Sequence, residues 1–280
     1  MRTALLQLTS SDDPLANLAV TRAMVAQAAA EGAGFVLTPE VTNCVSTSRE
    51  RQSQVLRSEG EDPTLEALRK DAAALGIWIL IGSLGLKTTD PDGRFANRSF
   101  LIGPDGAVVA RYDKIHMFDV QVTETETYRE SAGYRPGDRA VLAQTPFGTI
   151  GMTVCYDLRF PHLFRGLAQA GAQILTVPAA FSPVTGAAHW EPLLRARAIE
   201  CGAWVLAPGQ TGTHPAISGK QRQTHGHSLV VSPWGEVVAD AGVGVGITMI
   251  TLDIGAVRAA RAKIPSLMHD RDIAGFTDPR

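Results

Sequence analysis

The chain has 280 residues, 45% of them hydrophobic, enough to bury a substantial core in one large domain or two small ones. Its 26 basic and 28 acidic side chains are interspersed and leave a formal charge of −2, which gives no electrostatic footprint for nucleic acid or an anionic membrane and points to a small-molecule partner. No stretch approaches the roughly 20 apolar residues of a membrane span, and the N-terminal MRTALLQLTSSDDP is too briefly apolar for a signal peptide, so the expected setting is cytoplasmic.

In chain order, 2–8 reads as a strand, and Asp13-Pro14 opens an Ala-rich helix to about Glu31, closed by Gly32 and Gly34. The run Phe35-Val36-Leu37 is a buried strand followed by Thr38-Pro39-Glu40, which puts a carboxylate just past the strand tip with proline fixing the exit. A helix is expected over 63–74, a strand over 77–84, and a hairpin of 99–102 and 107–112 about Pro104-Asp105-Gly106. That hairpin runs into Asp113-Lys114. The chain has only five lysines, so an ammonium there invites a role that guanidinium does not fill, such as holding an oxyanion or tuning a thiol.

Residues 115–139 form a long polar stretch with the run TETET at 123–127, and long loops of this kind tend to carry function. Gly151 to Val154 reads as a strand and Phe160-Pro161 as a helix start, so Cys155 stands at a strand tip, facing the N-terminus of the next helix. A lone cysteine after a strand is commonly packing, but here Tyr156, Asp157 and Arg159 follow at once, which makes a nucleophile worth considering. A helix over 163–170 and a strand over 174–177 complete a strand-helix-strand unit and favour a parallel core. A loop is expected over 181–190, a helix from Glu191-Pro192 to about Glu200, and a strand over 204–207. The Gly-rich polar stretch 211–224 has lid-like composition; a hairpin of 228–231 and 236–239, a strand over 246–252 and a helix from Asp253 to about Lys263 follow.

No repeat, linker or low-complexity tract stands out, so one domain of two helix-covered sheets is the simplest layering. Cys44, Cys155 and Cys201 lie far apart without a C-x-x-C pair, which suggests reduced thiols and neither a disulfide frame nor zinc. His225-x-His227 lacks further ligands at metal-site spacing, and Gly242, Gly244 and Gly246 lack the strand-then-helix context of a dinucleotide loop. For a Cys155 nucleophile the candidate bases are His116, His162, His189 and Glu40, and spacing alone does not choose among them.

Five segments in order, Leu37-Thr38-Pro39-Glu40, Tyr112-Asp113-Lys114-Ile115-His116, Tyr128-Arg129-Glu130-Ser131, the octapeptide VCYDLRFP at 154–161 and Gly226-His227-Ser228, resemble the nitrilase superfamily of carbon-nitrogen hydrolases across nearly the whole chain. AGAQIL at 170–175, Thr185-Gly186 with His189-Trp190-Glu191, and LRARAIE at 194–200 most resemble its branch of deaminated glutathione amidase and ω-amidase. The resemblance implies an α/β fold, a four-layer αββα sandwich with two mixed sheets that dimerises, and a cofactor-free, metal-free thiol amidohydrolase. Glu40, Lys114 and Cys155 would be the catalytic trio and Glu130 the second glutamate orienting the lysine. By the same resemblance the backbone N–H of Tyr156 would help hold the oxyanion, while Arg159, Phe181 and Thr185 would hold an α-keto carboxylate.

The implied reaction cleaves a small acidic amide through a thioester with release of ammonia. Deaminated glutathione is the expected substrate and an ω-amide such as α-ketoglutaramate the alternative; the non-enzymatic alternative is a catalytically silent interaction domain. His225, Pro192, Gly202 and the 213–224 loop depart from the family pattern near where substrate length would be read.

Overall fold

The computed structural model describes residues 1–124 and 126–275. Thr125, in the middle of the TETET run, and the last five residues of the expected C-terminal tail lie outside the described residues. The first half of the chain runs β1 (Arg2–Gln7), α1 (Pro14–Ala30), β2 (Phe35–Leu37), α2 (Arg49–Val55), α3 (Pro63–Leu75), β3 (Trp78–Leu86), β4 (Ala96–Ile102) and β5 (Val108–Asp113). A short ribbon of β6 (Asp119–Gln121) and β7 (Thr127–Arg129) follows. The second half runs β8 (Val141–Thr145), β9 (Gly148–Met152), α4 (Pro161–Gln169), β10 (Ile174–Thr176), α5 (Pro183–Cys201) and β11 (Trp204–Ala207). Next come a ribbon of β12 (Thr211–Thr213) and β13 (Gln223–His225), then β14 (Leu229–Val231), β15 (Val237–Asp240), β16 (Gly246–Thr251) and α6 (Gly255–Lys263).

Two six-stranded sheets result, ordered β16-β1-β2-β3-β4-β5 and β8-β9-β10-β11-β14-β15. Both are mixed, and read in these directions they share one pairing pattern: antiparallel, parallel, parallel, antiparallel, antiparallel. The match extends to sequence. EGAGFVLTP at 31–39 falls on AGAQILTVP at 170–178, and LGIWIL at 75–80 on CGAWVL at 201–206, so that Phe35 and Ile174 pair with Trp78 and Trp204 respectively. The two Gly-Ala turns and the two glycine helix ends share left-handed backbone at Gly32 and Gly171, and at Gly76 and Gly202. The two sheets therefore share one strand plan with a local sequence likeness. The likeness is confined to the two central strands and their entry turns, so no repeat stands out along the chain.

Period-2 alternation sorts side chains between the layers. In the first sheet Leu5, Leu37, Leu80 and Leu101 face the second sheet, where they join Ile150, Met152 and Ile174 in one core. Ala4, Leu6, Val36, Ile79 and Phe100 face the other way, onto Val25 and Ala28 of α1 and Leu65, Leu68 and Ala72 of α3. Phe164, Leu167 and Ala168 of α4 and Trp190, Leu194, Ala198 and Cys201 of α5 cover the second sheet. The sandwich is the expected α/β layering, helix, sheet, sheet, helix.

Helix α5 corrects the expected loop over 181–190. Both Ser182-Pro183 and Glu191-Pro192 look like helix starts, and the first is the one used, leaving Pro192 inside the helix. The buried stripe Gly186, Trp190, Leu194, Ala198 and Cys201 runs unbroken past Pro192, and packing of that stripe outweighs the hydrogen bond the proline cannot donate. Strand β8, ribbon β6–β7 and helix α2 occupy stretches where no regular element was expected, and β9 ends at Met152, two residues before the expected Val154. Among the described residues, no helix is long and apolar enough to cross a membrane.

Candidate active site

Glu40 stands three residues beyond the last paired residue of β2. Its approach is held by Gly82 of β3, which passes so close to the chain that an added Cβ would lie 2.1 Å from the Thr38 carbonyl oxygen and 2.5 Å from that of Pro39. Gly82 also donates its N–H to Thr38 Oγ1 at 3.0 Å. The next residue, Val41, has φ +48°, a costly left-handed conformation for a β-branched side chain, and its N–H is fixed by Ser83 Oγ at 2.8 Å.

Cys155 occupies the corresponding distance past β9. It too is left-handed, at φ +51°, and its N–H donates to the Pro178 carbonyl at 2.9 Å. Strained non-glycine backbone thus marks both the nucleophile candidate and the residue beside the acid.

Lys114 leaves the end of β5 and is 2% exposed. Its Nζ donates to Glu40 Oε1 at 2.9 Å and to both oxygens of Glu130, at 2.9 and 2.8 Å. Glu40 Oε1 also accepts from Asn97 Nδ2 at 2.9 Å, and Oε2 from the Ala180 N–H at 2.8 Å, while the Cys155 thiol is near enough that it and the carboxylate shift one another's titration. Glu130 is held in turn by the Phe118 N–H at 2.6 Å.

Electrostatics separates the three groups. Burial acts to raise the Glu40 pKa, yet Lys114 and Arg222 hold it below its ordinary value. Burial also opposes the charge on Lys114, but Glu130 and Glu40 keep it protonated well above the ordinary lysine range. The Cys155 thiol is pushed well up, by burial first and by the Glu40 charge second. At neutral pH the site therefore holds a neutral thiol beside an ionised carboxylate and an ammonium, an arrangement in which the acid can accept the thiol proton as sulfur attacks.

A fully buried Asp157 ties the nucleophile loop to the lysine loop. Its carboxylate accepts from Tyr112 Oη at 2.6 Å, from the N–H groups of Val154 at 2.8 Å and His116 at 3.0 Å, and sits 2.7 Å from His116 Nδ1. His116 is thereby committed, its ring stacked on Phe160 with centroids 3.5 Å apart. Among the described residues no histidine ring hydrogen-bonds to Cys155; His189 Nδ1 lies 3.3 Å from Arg159 Nη2 instead. His225 and His227 stack on one another at 4.7 Å, and no group of three or more metal-ligating side chains converges among the described residues.

These groups open onto a cavity of about 790 Å³. Glu40, Lys114, Glu130, Cys155, Tyr156, Phe181 and Thr185 all line it. Arg159 does not: its guanidinium lies behind the wall, 5.9 Å from the Tyr156 ring centroid and 5.6 Å from that of Phe181. Sequence reasoning passed over Asn97, Asp157 as a tie, and Arg222, whose loop it marked only as lid-like. Arg222 lines the cavity, donates from Nη2 to the Ala180 carbonyl, and keeps a buried Nε without a partner. Thr185 Oγ1 and Asn97 Oδ1 are likewise buried and unpartnered.

The carbon-nitrogen hydrolase family model matches residues 2–262. A deaminated glutathione amidase of Yersinia enterocolitica is 38% identical over 98% of this chain and 94% of its own length. Among solved structures, the C. elegans NitFhit protein superposes with a TM-score of 0.89 at 34% identity, over 96% of this chain and 65% of that longer one. A variant of the amidase of Nesterenkonia sp. AN1, bearing acrylamide added at its active-site cysteine, superposes with a TM-score of 0.76 at 26% identity, over 95% of this chain and 98% of that one. The sandwich, the site and these likenesses agree: the chain belongs to the carbon-nitrogen hydrolase family and is an amide-hydrolysing enzyme of the nitrilase superfamily.

Proposed function

We propose that the enzyme hydrolyses deaminated glutathione, with Glu40, Lys114 and Cys155 as its catalytic trio. The observation that carries this is the buried contact in which one carboxylate touches both the thiol and the ammonium. As Cys155 Sγ attacks the amide carbonyl, its proton passes to Glu40, and the oxyanion is stabilised by Lys114 and the Tyr156 backbone N–H. Glu40 then gives that proton to the nitrogen as the C–N bond breaks, leaving a thioester. Water, deprotonated by Glu40, adds to the thioester, and the acid product departs as the thiol recovers its proton. Glu130 fixes the lysine.

The scissile bond of deaminated glutathione is a substituted amide, so its leaving group is the amine of cysteinylglycine. The expected release of ammonia belongs to the shorter ω-amides. Phe181 and the unpartnered Thr185 hydroxyl support an acyl-side subsite for the α-keto carboxylate, with Arg159 acting from behind the two aromatic rings. The proposal also takes 1–280 as one domain that works as a cytoplasmic homodimer, which sedimentation and fractionation measure directly.

The test is release of the α-keto diacid from deaminated glutathione and, separately, from α-ketoglutaramate, with Cys155→Ala and Glu40→Gln as controls. Preference for the tripeptide-like amide, abolished in both variants, is the expected result. Preference for the short amide replaces the substrate with an ω-amide, and turnover surviving Cys155→Ala overturns the mechanism.

A further inference from the structure

Arg222 is a charged group in the cavity wall that the reaction just described leaves unused. It stands just before β13, in the connection 214–222 between β12 and β13, which belongs to neither large sheet. Its guanidinium lies 6.0 Å from the Tyr128 ring centroid and donates through Nη2 to the Ala180 carbonyl, but Nε is buried with no partner. Among the described residues no carboxylate lies within ion-pairing distance of it; of the three glutamates lining this cavity, Glu40 and Glu130 are held by Lys114, and Glu126 is engaged by the Tyr128 hydroxyl and lies 3.5 Å from Ser182 Oγ. A partly exposed guanidinium whose buried Nε has no partner is a site for a planar anion, because its remaining N–H groups match the two oxygens of a carboxylate.

Its position says which end of the substrate carries that anion. Ala180 accepts from Arg222 through its carbonyl and donates its N–H to Glu40 Oε2, so the guanidinium stands next to Glu40. The group that returns a proton to the departing nitrogen must face that nitrogen. Arg222 therefore flanks the leaving amine, whereas Phe181 and Thr185 belong to the acyl side. Building on the substrate reading above, we propose that Arg222 is a specificity-determining residue that binds a carboxylate carried by the leaving amine, which fits the site to N-substituted amides with an acidic tail in preference to amides that release ammonia.

The test compares kcat/KM for deaminated glutathione and for the same compound with its terminal carboxylate converted to a carboxamide, in wild-type enzyme and in Arg222→Gln. One charge-assisted contact predicts a wild-type preference for the acid tail of about 10- to 100-fold, collapsing to about one in the variant. No wild-type preference overturns the proposal. So does an equal fall on both substrates with the ratio intact, since that is what a role through Ala180 and Glu40 alone produces. If wild-type enzyme cleaves neither compound, the substrate reading fails, and calorimetric binding of cysteinylglycine against its C-terminal amide decides the subsite separately. Roughly tenfold tighter binding of the acid, lost in Arg222→Gln, sustains the subsite; equal wild-type binding overturns it.

Discussion

Glu40 and Ala179 hold the same place in the two sheets, three residues past the last paired residue of the central strand and just after a proline. Cys155 and Leu8 are matched in the same way, three residues past Met152 and Leu5. One half thus supplies an acid where its counterpart has alanine, and the other a thiol where its counterpart has leucine. Neither sheet carries a complete site. What the shared plan provides is a pair of strand tips brought together by sheet-on-sheet packing, and in the proposed reaction each takes one side of a proton transfer.

The comparison is broken most completely by erasing either specialised tip. Cys155→Ala is expected to lower kcat by at least about 10⁴-fold, and Glu40→Gln by about 10²- to 10⁴-fold, measured as initial rates on protein whose circular dichroism is unchanged. The same pair sets the pH profile. Because Lys114 and Arg222 hold Glu40 below its ordinary value of 4.5, the acid limb of kcat/KM should fall below that pH. Because the thiol lies above 9.0, no gain from free thiolate should appear below that value. An acid limb centred near pH 6 to 7 would reassign the base to a histidine.

Next in size are substitutions that move a tip without removing it. Gly82→Ala puts a methyl group 2.1 Å from the Thr38 carbonyl, and should cost about 1–3 kcal/mol of stability in chemical unfolding and about 10²-fold in rate as Glu40 shifts. Tyr112→Phe combined with Asp157→Asn asks how firmly the halves are tied. A double-mutant cycle should return about 1–3 kcal/mol of coupling, and a value near zero would make the buried carboxylate incidental.

An effect on stability alone, absent at neutral pH, concerns the connection from β12 to β13. His214 is buried between the Ser10 carbonyl and Thr224 Oγ1, each 2.7 Å away, and burial lowers its pKa from 6.5 to about 4. Below pH 6.5 the unfolded chain takes up a proton that the folded one refuses, so stability should decline between pH 6.5 and about 4 by up to about 3 kcal/mol, then level off. In His214→Gln that segment of the Tm profile should flatten.

The strand tips were legible in sequence because the signals are local: an apolar triplet running into Thr38-Pro39-Glu40, an apolar run running into Cys155, and a rare lysine after a hairpin. The pairing of halves was not, since Tyr112 meets Asp157 across 45 residues and Ala180 meets Glu40 across 140. The start of α5 was ambiguous for a different reason: two Xaa-Pro signals compete, and only the packing of Gly186 and Trp190 decides between them. Arg222 carried no signal at all, because an arginine in a polar loop looks solvated until its surroundings bury Nε.

The ribbons β6–β7 and β12–β13 stand outside the plan shared by the two sheets, and each lends side chains to the cavity: Phe118, Tyr128 and Glu130 from the first or its flanks, Lys220 and Arg222 from the connection within the second. The two strand tips have little freedom to vary, since each is locked by main-chain contacts to its neighbours. The connection 214–222 between β12 and β13 belongs to neither six-stranded sheet. If Arg222 reads the leaving amine as proposed, changes of length or charge in that connection alter which amides are accepted while Glu40, Lys114 and Cys155 stay in place, so selectivity and bond breaking are carried by separate parts of the chain.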